Sequence, residues 1–186
     1  MFGRDLTEQV RADSRDFERQ VPVIVEKCIH AVELRGWFVR WIYVALIVTL
    51  IALDYEGIYR KTGGSTQSKA ITQLFERGDY DAFDLCDADR FTDISSITSV
   101  LKTYFRSLPI PLLTFDLHDQ FIQAVNIRDA AVRQETLIDL INSLPNEYYF
   151  TLRMLVMHLH QFVRFFSVLY GLMTSSLVWA NELTLI

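Results

Sequence analysis

The sequence predicts an all-α domain, on three observations. Apolar residues recur at helical spacing in one segment after another. Capping and breaking residues bracket those segments. No stretch alternates strictly between apolar and polar, and no hairpin dipeptide such as Asn-Gly occurs. A chain of 186 residues suits one domain with a single core and short loops.

The elements follow in chain order. Pro22 suits a first helical turn, where its missing N–H is not needed; Ile24, Cys28, Ala31 and Val32 then share a face, and Gly36 supplies a stop. Ser65 is placed to cap a helix whose stripe is Ile71, Leu74 and Phe75, ended by Gly78. Asp93 is placed to cap the next, with Ile97, Val100, Leu101, Tyr104, Phe105 and Leu108 inward, and Pro109 and Pro111 stop it. Thr114 heads a short helix carrying Leu117, Phe121 and Val125. Asp129 heads another carrying Val132, Leu137, Leu140, Ile141 and Leu144. Pro145 opens the last, with Tyr149, Leu152, Leu155, Val156 and Leu159 as its expected apolar face.

Composition narrows the function. A net charge of −5 argues against a binder of nucleic-acid backbones. Cys28 and Cys86 have no metal-ligand spacing and are expected to be reduced thiols of a cytoplasmic protein. The polar N-terminus does not read as a secretory signal. Enzyme constellations are missing: there is no phosphate-cradling glycine loop, no zinc-binding histidine pair and no serine elbow. His158 and His160 are two apart and point to different sides of a helix, which suits a structural or surface role better than joint metal ligation. Asp79 and Asp81 follow Gly78 in a polar loop and read as solvated carboxylates.

One segment is different. Arg60 stands between Gly57 and the pair Gly63-Gly64, just ahead of a helix. A guanidinium on a shaped loop suits charge stabilisation on a transferring phosphoryl group, although an exposed arginine is by default merely solvated. Further on, Lys102 and Arg106 are four apart and share a helix face, either a solvated surface or a docking patch for an acidic partner.

The motifs Phe2-Gly3-x-x-Leu6, Val21-Pro22-x-x-Val25-x-x-Cys28, Glu56-Gly57-Ile58-Tyr59-Arg60-Lys61-x-Gly63, Leu101-Lys102-x-Tyr104-Phe105-Arg106-x-Leu108-Pro109-x-Pro111-Leu112 and His158-Leu159 occur in one order along the chain. In that order they resemble the Rho GTPase-activating (RhoGAP) domain family, over residues 1–36 and 53–160. The resemblance implies a helical domain that docks on a Rho-class small GTPase in its GTP-bound form. It places the arginine finger at Arg60, a GTPase contact at Lys102, and a brace of finger loop and interface at Arg106. It implies no cofactor of the chain's own, since GTP and Mg²⁺ belong to the partner, and no complete active site of its own. Alternatives that stay open are a non-catalytic GTPase-binding module and a membrane-tethered regulator.

Two segments depart from the family pattern. Residues 37–52, Trp37 to Ala52, interpose an apolar block before the finger motif. With Leu53 it is borderline in length for a membrane span. It reads as a membrane-contacting helix, as a helix extension buried in the core, or as sequence foreign to a folded product. After His160 the expected asparagine motif and closing helices give way to an apolar run to Ile186, and Asn181 stands in no matching motif. The domain is therefore expected at 1–160, interrupted at 37–52 and incomplete at its C-terminus, with a divergent tail at 161–186. Both blocks open on Phe-Val-Arg, at Phe38 and Phe162, and end near Thr-Leu-Ile, at Thr49 and Thr184, as two translated introns with similar splice signals would. The expected consequence is a recognisable fold with weak or absent activity and poor solubility.

Overall fold

The computed structural model describes residues 1–14, 18–45 and 58–161, with only the helical backbone described over 36–45. Among the described residues the structure is helical throughout, with no strand. Residues 46–52 of the apolar block, the Glu56-Gly57 half of the finger motif, and residues 162–186 lie outside the described residues.

Helix α1, Leu6–Asp13, precedes the first helix expected from the sequence. Asp5 caps it by accepting from the amides of Thr7 (2.9 Å) and Glu8 (3.4 Å), which satisfies two of the helix's orphan donors. Asp13 closes it and in turn accepts from the Val23 amide at 2.9 Å, so the end of α1 caps the start of α2. Helix α2, Val23–Ala45, does not stop at Gly36. A glycine inside a helix is about 1 kcal/mol worse than alanine, too little to break a helix whose following residues can continue it. Backbone 37–45 of the apolar block is thus a helix extension. Among the described residues no helix is long and apolar enough to cross a membrane.

Helix α3, Ser65–Arg77, starts at Ser65 with Gly64 in the cap position, one residue earlier than expected, and no side chain caps it. Gly78 ends it at φ 74°, the left-handed conformation in which glycine carries no Cβ penalty. A short 3₁₀ turn at Tyr80–Ala82 follows. Helix α4, Ile94–Ser107, is capped by Asp93, which accepts from the Ser95 amide at 2.9 Å. Helix α5, Phe115–Val125, follows Thr114, whose φ of 54° is rare for a non-glycine residue and whose hydroxyl makes no capping bond. Helix α6, Ala130–Asn142, is capped by Asp129 through the amides of Ala131 and Val132. Helix α7 begins at 146 and continues to 161, the last described residue.

The main core joins α1, α2, α3, α4 and α7. Ile24, Cys28, Val32, Ile71, Phe75, Ile97, Leu101 and Tyr104 are essentially sealed from solvent. A smaller cluster, Phe121, Ala124 and Leu140, holds α5 against α6. Three expected stripes are corrected in part. Val125 and Val132 lie on open surface, as do Val156 and Leu159 of α7. The buried positions of α7 are Tyr148, Thr151 and His158, a face that carries polar groups and so escapes an apolar count.

Candidate functional site: a braced arginine loop

The loop of residues 58–64 is built on α4. Ile58 is buried and its carbonyl accepts from the Thr98 hydroxyl at 3.0 Å. At the next residue of α4, the Ser99 hydroxyl accepts from the Gly63 amide at 3.0 Å. Asp93 closes the far end. Its Oδ2 accepts from the Gly64 amide at 2.9 Å and from the Ser96 hydroxyl at 2.6 Å, while Oδ1 caps α4. Burial raises the Asp93 pKa, but the Ser96 hydroxyl and the Gly64 and Ser95 amides outweigh it and hold the carboxyl below its ordinary value. The loop and the helix start are therefore fixed by one carboxylate.

Gly63 sits directly on α4. A Cβ built there would meet the Ser96 nitrogen at 2.1 Å and its Cα at 2.3 Å. No side chain fits in that gap.

Lys102 reaches back under the loop. Its Nζ donates to the Tyr59 carbonyl at 2.8 Å and the Lys61 carbonyl at 3.3 Å, the two carbonyls flanking Arg60. Partial burial and the nearby Arg106 charge lower its pKa. The resemblance assigned GTPase contact to Lys102 and bracing to Arg106. In the structure Lys102 bonds the loop backbone. Arg106 is exposed on the last turn of α4 and donates no hydrogen bond to a described residue. A lysine's flexible four-carbon stem allows this return to a loop packed on its own helix. Lys102→Met keeps the stem and removes the donor. The ammonium is only partly withdrawn from water, so we expect a loss of about 1 kcal/mol of stability, below the usual range for charged hydrogen bonds. Chemical denaturation of the two proteins checks it.

The opposite side of the loop rests on α7 and α2. The Tyr59 hydroxyl lies 2.6 Å from His158 Nε2, and His158 Nδ1 lies 2.9 Å from Glu33 Oε1. The Tyr59 and His158 rings meet edge to face with centroids 5.8 Å apart. His158 is 1% exposed. Burial favours the neutral ring, and in that ring the tautomer that satisfies both partners has Nδ1–H donating to the Glu33 carboxylate and Nε2 accepting from the phenol. Burial lowers the His158 pKa, and the Glu33 carboxylate offsets part of that shift. The folded chain therefore holds this proton more weakly than the unfolded chain. Stability from the site is complete above the ordinary histidine value of about 6.5 and drains as pH falls through the lower folded pKa. Urea unfolding at pH 7.5 and 5.5 is expected to show this loss in the wild type and a smaller one in His158→Gln.

Arg60 crowns the turn. Its side chain is exposed, and it makes no hydrogen bond or ion pair with a described residue. Its backbone neighbours are held from below by Lys102, from one side by Tyr59 and from behind by Ile58. The remaining candidates fall away from this loop. His160 and Asp81 are exposed. Cys28 and Cys86 are free thiols: burial drives the Cys28 pKa far up, and burial together with the Asp84 carboxylate pushes that of Cys86 up to about 11. Among the described residues no group of side chains could hold a metal ion. What the sequence did not reveal is the bracing set: Glu33, Asp93, Thr98, Ser99 and the inward role of His158. Two of these carried a signal: Asp93 as a helix cap and His158 in the His158-Leu159 motif.

Fold and loop together define an all-helical domain that holds an arginine-bearing loop off its surface by side chains from several helices. The RhoGAP domain model matches residues 44–178, past the last motif quoted above. The chain belongs to the RhoGAP domain family. It is 36% identical over 155 residues to beta-chimaerin of Mus musculus, covering 83% of this chain and 40% of that protein. It is 34% identical over 159 residues to N-chimaerin of Homo sapiens, covering 86% of this chain and 30% of that protein. The chain thus spans less than half the length of these relatives. Among solved structures it is similar to human Rho GTPase activating protein 15, with 29% identity and a TM-score of 0.66 over 85% of this chain and 64% of that one.

Proposed function

We propose that this chain activates GTP hydrolysis by a Rho-class small GTPase in its GTP-bound form, with Arg60 as the inserted cation. One observation carries the assignment. The guanidinium projects into solvent while the carbonyls on both sides of it are clamped by a single ammonium. An arginine destined for a partner's site needs a free head and a fixed base, because positional error is costly and conformational entropy must be lost beforehand.

The chemistry follows from phosphoryl transfer. Negative charge on the transferring group's oxygens rises in the transition state, and a guanidinium delivered in trans is worth on the order of 10³–10⁵ in rate. The nucleotide, its Mg²⁺ and the attacking water belong to the partner, so the chain contributes charge and geometry and needs no complete active site of its own. Arg106, exposed on the same helix as Lys102, is the proposed contact to the GTPase. The intact anchors of loop 58–64 support a placed finger despite the apolar block before it.

A single-turnover titration tests the proposal. GTP-loaded members of the Rho class are mixed with rising concentrations of the chain, and phosphate release is followed. Saturable acceleration of at least one member is expected. Binding without acceleration would instead make the chain a non-catalytic module.

A further inference from the structure

The side chains Glu33, His158 and Tyr59 form a continuous hydrogen-bonded strut from α2, through the buried ring on α7, to the residue preceding Arg60. Glu33 and His158 are 125 positions apart and His158 and Tyr59 are 99 apart, so nothing local in the chain requires the three to meet. A buried imidazole satisfied at both nitrogens has one ring orientation and one tautomer, and it fixes the phenol in turn. We infer that His158 and Glu33 are positioning residues for the finger: they set the height and direction of Arg60 through Tyr59 and touch neither nucleotide nor GTPase. The strut and the Lys102 clamp act on the same residue from two sides. Lys102 holds the Tyr59 carbonyl and His158 holds its hydroxyl, so Tyr59 is gripped at both ends while Arg60 beside it stays free.

This rests on the GTPase-activating role proposed above, and it separates from that role in the test. Tyr59→Phe removes only the hydroxyl. Glu33→Gln keeps an acceptor for Nδ1–H, and Glu33→Ala removes it. Binding to the partner is made by the domain surface and transition-state stabilisation by the placed arginine, so the two should split. In single-turnover hydrolysis the saturating rate is expected to fall on the order of 10-fold in Tyr59→Phe and Glu33→Ala, within the range that loop misplacement produces. The half-saturating concentration should stay within about twofold, and Glu33→Gln should restore most of the rate. Hydrogen exchange of the amides at 58–64 supplies a readout independent of activity and is expected to quicken in Tyr59→Phe and Glu33→Ala but not in Glu33→Gln. If the wild-type chain accelerates no GTPase, the functional proposal fails and exchange alone decides the strut. Unchanged exchange in Tyr59→Phe overturns the positioning role. So does a variant that melts earlier yet keeps the wild-type saturating rate.

Discussion

Arg60→Ala is expected to abolish acceleration of GTP hydrolysis while leaving most of the binding to the GTP-bound partner. The side chain is exposed and makes no hydrogen bond or ion pair with a described residue, so its removal has no folding consequence to confuse the result. The saturating rate should drop on the order of 10³-fold or more, the contribution of an arginine supplied in trans. Affinity should change far less, because the guanidinium's main interaction exists only when charge develops on the phosphoryl oxygens. Arg60→Lys should rescue little. Lysine keeps the charge but not the planar fork that reaches two oxygens at once. Equilibrium binding by fluorescence polarisation, read beside the single-turnover rate, separates the two effects.

Gly63→Ala is the second large effect, and it acts through backbone. The added methyl would lie 2.1 Å from the Ser96 nitrogen and 2.3 Å from its Cα. Those atoms belong to the first turn of α4 and cannot rotate aside as a side chain would. The loop must lift, which strains the bonds from the Gly63 amide to Ser99 and from the Gly64 amide to Asp93. Overpacking of this kind costs about 1–3 kcal/mol. Displacement of the arginine by about 1 Å carries on the order of 10²-fold in rate. A melting curve and a saturating rate measured on the same preparation should both fall. If the melting temperature falls and the rate per folded molecule does not, the loop is not the arginine's platform.

The helical class was legible because its punctuation is local. Asp93 and Asp129 cap where they were read to cap, and Gly78 stops its helix in the left-handed conformation that only glycine takes freely. Gly36 shows the limit of the same signal: a glycine stops a helix only where the chain beyond it turns away. The short helix behind Asp5 was missed although its cap is of the same kind as that of Asp129. Arg60 stood out from its glycine neighbours and its family motif. Its bracing did not, since hydrogen bonds between positions 33, 59 and 158 leave no periodic trace. Counting apolar residues found only part of the inward face of α7: Tyr149 and Leu152 pack against the core, but Thr151 and His158 are buried and Val156 and Leu159 are exposed. Lys102 and Arg106 were correctly paired on one helix, yet only coordinates show that the lysine turns inward and the arginine outward.

The most direct test is phosphate release in a single turnover by a panel of GTP-loaded Rho-class GTPases, each measured alone, with saturating wild-type chain, and with saturating Arg60→Ala. A loop-held arginine predicts that at least one member is accelerated by the wild type and returns to its intrinsic rate with Arg60→Ala. Acceleration that survives the substitution, or none by the wild type across the panel, would contradict it.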